Sequence, residues 1–111
     1  MGILAAGEVV LLLYPFSDLS RSKYRPAVVL AEAGREDWIV CQITSNPFAD
    51  PTSIPLTHSD FVSGQLHHDS YARPTKVFTA HESLITSTLG TLKRENFLTI
   101  RDAVIDLLCK S

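Results

Sequence analysis

Up to Gly90 the apolar residues come in short runs, and beyond it they recur at helical spacing. The run Val9-Val10-Leu11-Leu12-Leu13-Tyr14 is β-branched at its start and closed by Pro15, which fits a buried strand better than a helix. Residues 17–24 are polar and rich in turn formers, and the apolar Ala27-Val28-Val29-Leu30-Ala31 follows Pro26, so a loop and a second strand come next. Gly34-Arg35-Glu36-Asp37 reads as a turn into Trp38-Ile39-Val40-Cys41-Gln42-Ile43, whose β-branched and aromatic residues suit a central strand. Three successive strands predict a meander. Between Thr44 and Tyr71, the residues Pro47, Pro51, Pro55 and Gly64 leave room only for short strands such as residues 53–56. Residues 75–79 alternate polar and apolar, and residues 83–89 form another β-prone run.

After Gly90 the period changes. Leu92, Asn96, Thr99 and Ala103 share one direction, while Phe97, Ile100, Val104, Leu107 and Leu108 mark the apolar face of an amphipathic helix over about residues 93–109. Short strands followed by one terminal helix predict a mainly β fold with a C-terminal α-helix: a small, curled antiparallel sheet or partly closed barrel, with the helix over one opening. A chain of 111 residues without internal repeat or linker is expected to form one domain over residues 1–111.

Charge narrows the function. A formal net charge of −2 speaks against a protein that coats nucleic acid, because non-specific binding neutralises many phosphates at once. Any nucleic-acid site must be local. Cys41 and Cys109 are too few and too oddly placed for a disulfide framework, so both are expected to be reduced and packed. The N-terminus lacks a basic signal region, and residues 9–13 are far too short to span a bilayer, so the expected compartment is cytoplasmic.

The segment Gly7-Glu8-Val9-Val10-Leu11-Leu12-Leu13-Tyr14-Pro15-Phe16-Ser17-Asp18-Leu19-Ser20-Arg21-Ser22-Lys23-Tyr24-Arg25-Pro26-Ala27-Val28-Val29-Leu30 closely resembles the opening of PemK/MazF toxins: strand, Pro-Phe and loop, then Arg-Pro and strand. Three more matches follow in order: Ile43-Thr44-Ser45, the segment Ser70-Tyr71-Ala72-Arg73-Pro74-Thr75-Lys76-Val77-Phe78-Thr79, and the Leu89-Gly90 approach to the terminal helix. Each alone is weak; four in order, in the expected structural context, are specific. The resemblance implies an SH3-like barrel with CcdB-like architecture that pairs into a homodimer. It also implies a toxin of a type II toxin-antitoxin system: a sequence-selective endoribonuclease acting on single-stranded RNA, bound by a cognate antitoxin, and reaching operator DNA only through the antitoxin complex.

RNA carries its own nucleophile. A cleaving enzyme needs only to deprotonate a 2′-hydroxyl, steady the phosphorane and protonate the departing 5′-oxygen, so no metal or other cofactor is required. The products implied by the resemblance are a 2′,3′-cyclic phosphate and a 5′-hydroxyl. Arg25 matches the family's catalytic arginine, and its fixed charge and planar donors suit charge developing on phosphate oxygens. By residue type alone it reads as an exposed strand-edge arginine. Thr44 matches the active-site threonine, with Ser45 beside it as support; a turn cap is the plainer reading of that hydroxyl. Arg21 and Lys23 add charge just before Arg25 and fit a phosphate track or a solvated loop. Arg73, Lys76 and the ring of Tyr71 match the far wall of the family's RNA groove.

That wall departs from part of the family, because Ala72-Arg73-Pro74-Thr75 offers no carboxylate where some members place a proposed general base. His67 and His68 fit the proton-transfer role chemically, and they equally fit a surface turn. Neighbouring histidines on an extended chain diverge, which disfavours a shared metal site. Asp18 is the remaining acid or base candidate, although Asp in a turn commonly bonds its own backbone. Two other functions stay open at this level. One is a catalytically weak SH3-like binding module that acts through antitoxin and operator binding. The other is a gyrase-poison-type toxin, disfavoured because the chain ends Leu107-Leu108-Cys109-Lys110-Ser111 without that group's aromatic end.

Overall fold

The computed structural model describes residues 4–15, 22–46 and 50–110. Its elements run β1 (Glu8–Pro15), β2 (Ser22–Gly34), β3 (Asp37–Thr44), β4 (Ile54–Leu56), β5 (Phe61–Gly64), β6 (Ser70–His81), β7 (Ile85–Leu92) and α1 (Arg94–Cys109). All strand pairings are antiparallel, and the described strands form one seven-stranded sheet in the order β4-β6-β3-β2-β1-β7-β5. The result is a mainly β half-barrel with a C-terminal helix, as the sequence predicts.

The unbroken apolar runs have a direct cause: the central strands are buried on both faces. Val9, Val28, Cys41 and Ile43 join Leu56, Phe61, Leu92, Phe97 and Ile100 in one core cluster. The alternate positions Val10, Leu12, Ala27, Val29 and Val40 form a second cluster with Leu4, Trp38, Ala80 and Ile85. Fully burying one such aliphatic side chain stabilises the fold by roughly 1.5–3 kcal/mol before entropy is counted, so these strands are the rigid frame.

Several boundaries differ from expectation. β2 begins at Ser22, so Lys23 and Tyr24, expected in the loop before Arg25, already belong to the strand. β5 goes unpredicted, since its four residues bury only Phe61. Gly90 does not end a strand but sits inside β7, where an added Cβ would lie 2.6 Å from the Ser63 carbonyl oxygen and 2.9 Å from the Phe61 ring. The helix matches closely, yet its buried residues are only Phe97 and Ile100, and Leu108 is 73% exposed. Cys41 is buried as expected, whereas Cys109 is exposed, because the last helical turn runs beyond the core. α1 is the one α-helix among the described residues, and no helix there is long and apolar enough to cross a membrane.

Candidate active site

β2 and β3 pair from Gly34↔Asp37 back to Ala27↔Gln42, and there the ladder stops. The next residue of β2 is Pro26, which has no N–H to donate and is tolerated where a neighbouring strand is missing on one side. β3 keeps its other partner, β6, beyond this point, from Asp37↔His81 through to Ile43↔Ala72 and Thr44↔Tyr71. The two strands therefore splay apart. Arg25 and Pro26 on one side and Ile43, Thr44 and Ser45 on the other line a pocket of about 280 Å³. Leu11 and Leu89 add apolar wall, and residues 65–68 supply Gln65, Leu66, His67 and His68.

Five of the sequence candidates thus meet in one pocket: Arg25, Thr44, Ser45, His67 and His68. Arg25 is half-buried, and Thr44 is buried at 7% exposure. The Thr44 hydroxyl donates to the Asn46 carbonyl at 3.1 Å and accepts from the Asn46 N–H at 3.1 Å. This local turn fixes the oxygen's position, so its capping and site roles coexist in one residue. The histidines are exposed at the rim, and the His68 carbonyl accepts from Ser70 Oγ at 2.9 Å. Among the described residues, no three His, Cys, Asp or Glu side chains gather as a metal-binding group.

The other described candidates lie elsewhere. Arg21 and Asp18 fall outside the described residues. Lys23 is exposed at the start of β2, and Lys76 is exposed on β6; neither lines the pocket. Tyr71 is half-buried directly across from Thr44, also outside the lining.

Arg73 has an unforeseen partner: its Nε donates to Asp50 Oδ2 at 3.0 Å. The carboxylate missing from the β6 wall is supplied from the segment before β4. Asp50 also accepts from the Thr52 N–H at 2.9 Å, Thr52 Oγ1 at 2.6 Å and Thr75 Oγ1 at 3.2 Å. The Thr52 donors, then the Arg73 guanidinium, hold its carboxyl well below the usual carboxylate range. A carboxylate so stabilised is a poor proton acceptor and a good tie. Asp ahead of Pro-Thr is a turn signature, so its bonds to Thr52 were legible in the sequence; its reach to Arg73 was not.

Cys41 lies beneath the same wall. β6 carries a register shift between its pairings with Cys41 and Ile43, and the Cys41 thiol donates to the Arg73 carbonyl at 3.2 Å. Burial pushes the thiol pKa up to about 12, outweighing the opposing pull of that hydrogen bond. A thiol held neutral this firmly is a packing group, not a nucleophile. Gln65, Leu66, Leu11, Tyr24, Ser70 and Leu89 are pocket residues that sequence reasoning missed. Leu11, Tyr24, Ser70 and Leu89 lie inside the matched segments, whereas nothing local marks Gln65 and Leu66.

Known proteins share this architecture. The MazE-MazF structure from Deinococcus radiodurans superposes with a TM-score of 0.77 at 20% identity, covering 100% of each chain. An endoribonuclease in complex with its cognate antitoxin, from a Mycobacterial species, superposes at 0.71 with 18% identity, over 98% of this chain and 96% of that one. The Mycobacterium tuberculosis toxin MazF-mt6 gives 0.67 at 14% identity, over 92% and 98%. At these identities the likeness establishes the fold. No curated protein shows significant sequence similarity to the chain. The family model of PemK-like, MazF-like toxins of type II toxin-antitoxin systems matches residues 5–108, and the chain belongs to that family.

Proposed function

We propose that this toxin is a metal-independent endoribonuclease that cuts single-stranded RNA, works as a homodimer of one-domain chains in the cytoplasm, and is restrained by a separate antitoxin. The observation that carries the reading is the convergence of Arg25, Thr44, Ser45, His67 and His68 on one pocket at the point where β2 and β3 part. A guanidinium, two hydroxyls and two imidazoles make a set suited to RNA transesterification. One imidazole takes the 2′-hydroxyl proton as the 2′-oxygen bonds to phosphorus, and Arg25 balances the charge on the phosphorane oxygens. Thr44 donates to a phosphate oxygen by turning its hydroxyl from the Asn46 carbonyl. The phosphorus–O5′ bond then breaks, the 5′-oxygen takes a proton from the other, protonated imidazole, and a 2′,3′-cyclic phosphate remains.

The test is cleavage of a long, weakly structured RNA by purified toxin in EDTA, beside Arg25→Ala and Thr44→Val. Cuts at a short recurring sequence with cyclic phosphate ends are expected. Arg25→Ala should slow them roughly 10²–10³-fold, the usual cost of removing one donor to a developing charge. Thr44→Val should cost about tenfold, the worth of one hydrogen bond. Full activity of both variants, with the fold intact, would refute the site.

A further inference from the structure

The segment between β5 and β6 is fixed at both ends where it borders the pocket. At its start Gly64 has φ +71, and a Cβ there would overlap the Leu89 carbonyl oxygen and lie 2.5 Å from Gly90 Cα. Only glycine lets β5 approach β7 this closely. The following Gln65 N–H donates to that same Leu89 carbonyl at 3.3 Å. At the far end, Ser70 Oγ holds the His68 carbonyl at 2.9 Å. Between these anchors Gln65, His67 and His68 are exposed and line the pocket.

The polar groups of the pocket differ in what they can read. Arg25 only donates and complements phosphate. The Thr44 and Ser70 hydroxyls are engaged with Asn46 and His68. The Gln65 carboxamide has no hydrogen-bond partner among the described residues. It presents a donor beside an acceptor, the pattern that pairs bidentately with the edge of a base. About 280 Å³ lies just below the roughly 300–1,000 Å³ of clefts that hold drug-sized ligands, a size for one base and not a stacked run. Leu66, Leu89 and Pro26 offer apolar wall to the base's faces.

We infer that Gln65 selects the RNA base that enters this pocket beside the scissile phosphate, through paired hydrogen bonds from its carboxamide; this rests on the ribonuclease reading above. His67 and His68 are left to proton transfer. Specificity and chemistry are then carried by different residues of one short segment, and the two can be separated by mutation.

The experiment is cleavage of a randomised RNA library by wild type, Gln65→Ala and Gln65→Glu, with cut sites sequenced and unfolding temperatures compared. Gln65→Ala should lower discrimination at one position next to the cut by roughly 5- to 150-fold, the worth of a bidentate base contact, and leave other positions unchanged. Gln65→Glu offers acceptors only and should move that position toward guanine, whose Watson–Crick edge presents two adjacent donors. If wild type cuts, Arg25→Ala does not, and both Gln65 variants keep the wild-type preference at every position, this inference falls and the ribonuclease reading stands. If wild type cuts no RNA, both fall together.

Discussion

Alanine at Gly64 should destabilise the toxin far more than alanine at Gly34, although both glycines have positive φ, +71 and +89. Placing an L-residue in the left-handed region costs roughly 1–2 kcal/mol. Restricting the unfolded chain returns about 0.4–1 kcal/mol. At Gly34 nothing lies within 4 Å of the new Cβ, so the net cost is about 1 kcal/mol. At Gly64 the Cβ meets the backbone of Leu89 and Gly90, which cannot swing aside like the end of a side chain. Overpacking of that kind adds roughly 1–3 kcal/mol, for a total of about 2–4 kcal/mol. In a chain of this size about 1 kcal/mol moves Tm by roughly 4 °C, so Gly34→Ala should lose about 4 °C and Gly64→Ala about 8–16 °C. Calorimetry of both variants at matched protein concentration decides the matter, since dimerisation would make Tm concentration-dependent. Equal Tm losses would refute the argument that β5 is held by backbone contact. Gly64→Ala should also blunt RNA cleavage below its unfolding temperature, because the Gln65–Leu89 hydrogen bond lies at the same contact.

Other predictions follow from the two perturbed groups. Cys41 keeps its proton to about pH 12 when folded, while the unfolded thiol ionises near the ordinary thiol value of 9.0. The unfolded state therefore loses the proton first, and stability falls as pH rises from about 9 toward 12, by about 1.4 kcal/mol per pH unit. Urea midpoints at pH 8 and 10.5 should show this slope, and Cys41→Ala should flatten it. Iodoacetamide at pH 8 should label the exposed Cys109 and spare Cys41 until the chain unfolds; equal labelling of both thiols would contradict the burial. Asp50 has a depressed folded-state pKa, so its contribution is present above the ordinary carboxylate range and lost as pH falls below it. Asp50→Asn should start less stable at neutral pH and show a shallower acid limb in circular dichroism; an unchanged acid limb would deny that the Thr52 and Arg73 donors stabilise the carboxylate.

The parts of the fold that were legible are those set by local pattern. Residues 9–14, 27–31 and 38–43 read as strands because neighbouring positions fall into two different core clusters, giving unbroken apolar runs. The helix read from its period, but periodicity does not say where the core ends, and hence Leu108 and Cys109 were over-assigned. β5 was illegible because its existence depends on pairing with β7 far along the chain, through the contact of Gly64 with Gly90. Arg25 and Thr44 were marked by motif, and the structure places them together where Pro26 ends a ladder. Gln65 carries no local mark at all. Arg73 read as an open cation because the carboxylate that holds it comes from Asp50, in another segment.

The pocket is lined from β1 at Leu11, β2 at Arg25, β3 at Thr44, the β5–β6 segment at Gln65 and β7 at Leu89, and Phe97 and Ile100 of α1 complete the core cluster behind it. The last of its lining residues, Leu89, comes late in the chain. During synthesis the ribosome must extrude the chain past Leu89 before the walls can meet, since domains fold as units once their elements have emerged. A nascent chain that has not emerged past Leu89 has no closed pocket, so a toxin that cuts RNA cannot yet act on the message that encodes it.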